Sequence, residues 1–134
     1  VIDIESEVFN TVSEKVREQY PEIFMTGEYV KSPSSFPCVS LIETDNQIYR
    51  NTRTSGCIEN HAQVVYEVNV YSNKQRGKKA ECKEILGFID KQLEAIGFTR
   101  TLMTPVPNEV DATIYRMVAR YRAIVSKENV IYRR

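Results

Sequence analysis

HAQVVYEVNVYSNKQRGKKAECKEILGFIDKQLEAIGF, running from His61 to Phe98, decides the fold. In its first part Val64, Tyr66, Val68 and Val70 fall on one side, and Val65, Glu67, Asn69 and Tyr71 on the other. Successive side chains of a strand point to opposite faces, so this is a strand with one dry and one partly wet face. Its β-branched and aromatic content suits a pleated surface. Ser72 to Gly77 then reads as a charged turn. From Lys78 the period changes: Cys82, Ile85, Leu86, Ile89, Leu93 and Ile96 recur at spacings of three and four, forming one stripe of a helix. Gly97 closes that helix at C′, where glycine reaches a left-handed conformation cheaply. Strand, turn and helix together lay one helix on one sheet.

Towards the amino terminus, Asp3 to Tyr20 reads as a second helix, with Ile4, Val8, Val12 and Val16 stepping by four and Phe9 widening the stripe. Asp3 suits the N-cap, Glu5 and Glu7 complement the helix dipole, and Pro21 stops the helix. Its valines are poor helix formers, so it depends on docking to a sheet. Ile23 to Val30 reads as a first strand weakened by Gly27, and Lys31 to Pro37 as a loop. Cys38 to Thr44 reads as a second strand. Asp45 to Asn60 is the least apolar stretch and reads as a long hairpin arm with an exposed tip; loops of this length are usually functional or disordered.

Towards the carboxyl terminus, Pro105 and Pro107 bracket Val106, so Thr99 to Asp111 is expected to hold no regular element. Ala112 to Val125 is the last long strand. Thr113, Tyr115, Met117, Ala119, Tyr121, Ala123 and Val125 make a core-like face; Ile114, Arg116, Val118, Arg120, Arg122 and Ile124 make the other. Val130 to Arg134 is a short tail, with the pattern of a further edge strand. The order α-β-β-β-α-β predicts an α+β domain: a mainly antiparallel β-sheet with two helices packed on one face and a long hairpin arm.

The 134 residues make one domain, large enough to bury a core without staples. At 42% hydrophobic and 27% charged residues the chain is too apolar for disorder. No apolar run approaches the roughly 20 residues that cross a bilayer, and the acidic, amphipathic start is not a signal peptide. Cys38, Cys57 and Cys82 lack CxxC spacing, and an odd count makes no disulfide framework; they read as reduced thiols of a cytosolic product. Net charge is zero, yet residues 1–67 carry 5 basic against 11 acidic groups and residues 68–134 carry 13 against 7. Either the halves interleave in space and cancel, or the subunit has unlike faces that pack front to back against copies of itself. The balance gives no support to nonspecific nucleic-acid binding.

Little in the sequence points to catalysis. His61 is the only histidine, which leaves no His-based metal cluster or dyad within one chain, and it reads as a polar loop residue. No cysteine has a visible base beside it, and no glycine-rich phosphate loop occurs. Glu81, Glu84, Asp90 and Glu94 read as the solvated side of a helix. Lys74 to Lys79 reads as a solvated basic turn, or as a docking point for an acidic surface or phosphate. Arg116, Arg120 and Arg122 read as an exposed row or as an interface, where arginine pairs with carboxylates in a planar, bidentate way.

The segments Ser35-Phe36-Pro37-Cys38-Val39-Ser40, Tyr66 to Lys74 (YEVNVYSNK), Asp111-Ala112-Thr113-Ile114-Tyr115-Arg116 and Ile131-Tyr132-Arg133-Arg134 resemble the small tail terminator proteins of tailed bacteriophages and prophages. The likeness runs in the same order along nearly the whole chain and rests on short matches rather than a catalytic signature. It implies a structural protein, not an enzyme, with no cofactor or metal. It implies a homo-oligomeric ring, a hexamer in that family, which sits on the end of the tail tube and stops its growth. The implied partners are copies of itself, the tail tube protein and head–tail connector proteins, with no membrane or specific nucleic acid. The implied location is the bacterial host cytoplasm during assembly, then the virion neck. Another neck or head–tail joining component is the alternative. On this reading the arm reaches a neighbouring subunit, and Tyr49, Arg50, Arg53, Arg116, Arg120 and Arg122 are the expected subunit or tube contacts.

Overall fold

The computed structural model describes residues 2–28, 33–48, 61–107, 113–126, 128 and 130–131. Two helices and five strands follow in the order α1 (Glu5–Gln19), β1 (Phe24–Thr26), β2 (Cys38–Ile48), β3 (His61–Ser72), α2 (Lys78–Ala95), β4 (Thr99–Val106) and β5 (Tyr115–Ser126). The strands form one sheet in the order β1-β2-β3-β5-β4. β2–β3, β3–β5 and β4–β5 are antiparallel, and the short β1–β2 pairing is parallel. The α+β class with a mainly antiparallel sheet is as the sequence predicts. β3 and β4 both run antiparallel to β5, so β3-α2-β4 is a crossover with β5 inserted into the gap.

The core lies between the sheet and both helices. Ala62, Val64, Tyr66, Val68 and Val70 of β3 stand opposite Val125, Ala123, Tyr121, Ala119 and Met117 of β5 on one face, and all ten are buried. Val39 and Leu41 extend this face across β2. α2 lays Cys82, Ile85, Leu86, Ile89 and Leu93 on it, the stripe read from the sequence. Each aliphatic side chain so buried contributes roughly 1.5–3 kcal/mol relative to exposure. α1 buries Val8, Val12 and Val16 against α2 and β2, so docking compensates for its poor intrinsic helicity. Phe98 meets Tyr66 edge to face, with ring centroids 5.1 Å apart.

Both ends of α2 rest on glycine. Gly77 occupies the N-cap at φ 82° and Gly97 follows the C-cap at φ 107°, both left-handed. The Asp3 carboxylate accepts the Glu5 backbone N–H at 3.1 Å, although Ile4, not Asp3, stands at the N-cap position.

Three boundaries differ from the sequence expectation. Thr99 to Val106 is a strand rather than an irregular segment. It lies at the sheet edge, where a proline is tolerated, and Pro105 pairs with Met117. β1 stops at Thr26, because the Thr26 hydroxyl accepts the Glu28 N–H at 3.2 Å and turns the chain at Gly27. β2 and β3 run past their expected ends, pairing as far as Ile48 and Ala62 across an irregularity between Glu43 and Asp45. The base of the predicted arm is therefore part of the main sheet, since Ala62 to Val65 pair with β2 on one side and β5 on the other, and its remainder, residues 49–60, lies outside the described residues.

Candidate functional site

Alternation sends the other half of each strand to the face that carries no helix. Five cross-strand rows result. Cys38, Tyr71, Arg116 and Val106 form one; Ser40, Asn69, Val118 and Thr104 the next; then Ile42, Glu67, Arg120 and Leu102. Asp45, Val65, Arg122 and Thr99 follow, then Gln47, Gln63 and Ile124. The first two rows are mostly dry: Cys38, Ser40, Asn69, Tyr71 and Val118 are buried. The next rows are wet. Arg120, Arg122, Asp45, Gln47 and Leu102 are exposed.

This gradient sorts the three predicted arginines. Arg120 and Arg122 stand exposed on the helix-free face. Arg116 is mostly buried. Its Nε and Nη2 both donate to Asn69 Oδ1, at 2.9 and 2.7 Å, and Nη2 lies 4.0 Å from Glu67 Oε1. Its guanidinium covers the Tyr71 ring at 5.7 Å. Asn69 Nδ2 in turn donates to Glu67 Oε1 at 3.4 Å, so the group is closed on itself. Arg116 therefore ties β3 to β5, while Arg120 and Arg122 remain open to solvent. Tyr49, Arg50 and Arg53 lie outside the described residues.

The sheet order also places the charge. The acidic half of the chain supplies α1, β1 and β2 on one flank; the basic half supplies β5 and β4 on the other, with α2 above them. The halves do not interleave in the sheet.

Two helix carboxylates read as solvated from the sequence are instead tied to the sheet. Asp90 accepts the Tyr121 hydroxyl at 2.7 Å and lies 3.8 Å from Arg100 Nη1. Burial, then the Asp90 hydrogen bond and charge, raise the Tyr121 phenol pKa. These groups line a groove of about 260 Å³ with Glu94, Phe98 and Thr99. Glu81 accepts the buried Ser72 hydroxyl at 2.6 Å and meets Lys74 at 4.0 Å. Only the three-dimensional crossover brings Asp90 to Tyr121; a polar interruption flanking an apolar helical stripe was the available signal.

The basic turn has partners too, since Lys78 Nζ donates to the Thr113 carbonyl at 3.2 Å. His61 opens β3 opposite Ser126 rather than lying in a loop, and it is half-buried. Cys38 and Cys82 are buried free thiols, pushed up to about 11 and about 12, in both cases chiefly by burial. Such thiols are poor nucleophiles. Cys57 lies outside the described residues. Among the described residues, no group of three or more His, Cys, Asp or Glu side chains is placed to hold a metal ion. No described helix is long and apolar enough to cross a membrane.

Neither the protein-family models nor the curated proteins compared with this chain give a match.

Proposed function

We propose that the protein is a self-assembling structural subunit of the tail terminator type, whose copies close into a ring on the end of a phage tail tube. The observation that carries this reading is the lateral charge order of the sheet. An acidic flank, β1–β2 under α1, lies opposite a flank whose strands bear Arg100, Arg120 and Arg122. Such a subunit meets a copy of itself favourably only front to back, and front-to-back contacts form rings when the rotation closes. The resemblance of four ordered segments to tail terminators supplies the setting, and with it the expected six copies.

The mechanism is geometric. One side of the ring matches the terminal ring of the tube, and the opposite side presents a surface to which tube subunits do not add. Polymerisation stops there, and the head connector docks. The role is structural rather than catalytic, set in the host cytoplasm during assembly and then in the virion neck.

Light scattering on a size-exclusion column, followed by negative-stain imaging with and without tube protein, tests the reading. Closed rings, alone or on tube ends, are expected. A protein that stays monomeric at high concentration and leaves tube length unchanged refutes it. Retention by connector protein without any effect on tubes would instead assign it to head–tail joining.

A further inference from the structure

The outer edge of β2 is paired with β1 only from Cys38 to Ser40. Beyond that point the strand continues to Ile48. An unpaired strand edge is a template for association and is normally covered. Here residues 2–5 lie across it. Asn46 Nδ2 donates to the Ile2 carbonyl at 2.7 Å, and the Glu43 backbone N–H donates to Glu5 Oε2 at 2.9 Å. Ile2 and Ile4 anchor the segment in the core.

The polar side of this contact is unusual. Glu43 stands beside Tyr66 on the helix side of the sheet. Glu43 Oε1 and the Tyr66 hydroxyl are both buried, and neither completes a hydrogen bond. Asp3 and Glu5, from the covering segment, are the other ionisable groups that bear on Glu43. Among the described residues, no lysine or arginine pairs with any of these three carboxylates. Burial raises the Glu43 pKa, the Glu5 and Asp3 charges add to the rise, and the nearby Asn46 and Tyr66 polar groups partly offset it. A neutral Glu43 carboxyl brings an O–H that the oxygen of the neighbouring Tyr66 hydroxyl can accept. An ionised one adds a third negative charge.

We propose that residues 2–5 form a proton-sensitive strap, which holds its contact with the outer edge of β2 at Glu43 while Glu43 is protonated and loosens there when Glu43 ionises. The sign follows from linkage. A carboxyl whose pKa is raised in the folded state holds its proton more tightly there. Its contribution is full below the ordinary carboxylate range and is lost as pH climbs through the raised value.

Backbone amide exchange on the full chain, corrected for intrinsic rates and run between about pH 5 and pH 8, reads the strap directly. It uses the dilute subunit and so is independent of ring formation. In the wild type, protection of the Glu43 amide is expected to fall with pH while the β3 core stays constant. Glu43→Gln is expected to keep that protection throughout. Constant wild-type protection, or the same fall in Glu43→Gln, overturns the proposal. Carbon-13 titration of the Glu43 carboxyl in the unmutated protein gives a second reading: a midpoint above the ordinary carboxylate range supports the strap, and one within that range sinks it.

Discussion

Tyr66 and Tyr121 are cross-strand partners under the helices, and burial raises the pKa of both phenols. Their hydroxyls differ in company: Tyr121 donates to Asp90, whereas Tyr66 makes no hydrogen bond. Tyr121→Phe should therefore cost about 1–2 kcal/mol, and Tyr66→Phe should leave stability unchanged or raise it by about 1 kcal/mol. Urea midpoints at neutral pH rank the two variants, and the opposite ranking refutes the assignment. The arginines divide in the same way. Arg116→Met strips two donated hydrogen bonds from the buried Asn69 and should cost about 2–3 kcal/mol. Arg120→Met, on an exposed side chain, should stay within about 0.5 kcal/mol. Equal losses at both positions would contradict the closed Arg116–Asn69–Glu67 group. Strand alternation placed all three arginines on one face from sequence alone. Which of them is covered depends on Asn69, 47 residues away, and no local pattern carries that.

At the scale of elements, what was legible followed burial. β3 and α2 each press a complete face into the core, so their periods of two and about 3.6 are written in Val64 to Val70 and Cys82 to Leu93. β4 left no such trace. It is an edge strand exposed along its first half, from Thr99 to Leu102, and its pairing with β5 is set by register rather than by an apolar repeat. Of the prolines that argued against a strand there, Pro105 is one an edge accepts and Pro107 lies past the strand's end. The junction of α2 with the sheet gives a prediction at this scale. The Cys82 thiol donates weakly to the Val70 and Tyr115 carbonyls, at 3.6 and 3.7 Å, and Cys38 is equally buried on the opposite face. In a Cys57→Ser background, both thiols should react with an aromatic disulfide at about pH 8 only as fast as the protein opens. Adding urea below the unfolding midpoint should accelerate both together. Rapid labelling of the native protein at either site would show that α2 or the β2 pairing opens locally.

For the whole molecule, the consequence lies in which contacts the charge order forbids. Two copies joined about a two-fold axis through the acidic flank would set α1 and β2 carboxylates against their own equivalents, and the basic flank repeats the problem with arginines. In the proposed ring, front-to-back addition would remove the conflict, because each new contact would set one sign against the other and leave one free flank of each sign until closure. Arg120 and Arg122 suit this role because their side chains are exposed, so changing them alters association with little effect on the fold. The double variant Arg120→Glu, Arg122→Glu should melt within a few degrees of the wild type and fail to assemble in analytical ultracentrifugation. Raising salt to about 0.5 M should weaken wild-type assembly in the same direction, since exposed pairs are screened over a few ångströms at that strength. If the double variant assembles normally and salt has no effect, the flanks do not meet, and contacts between copies must come from apolar surface elsewhere on the subunit.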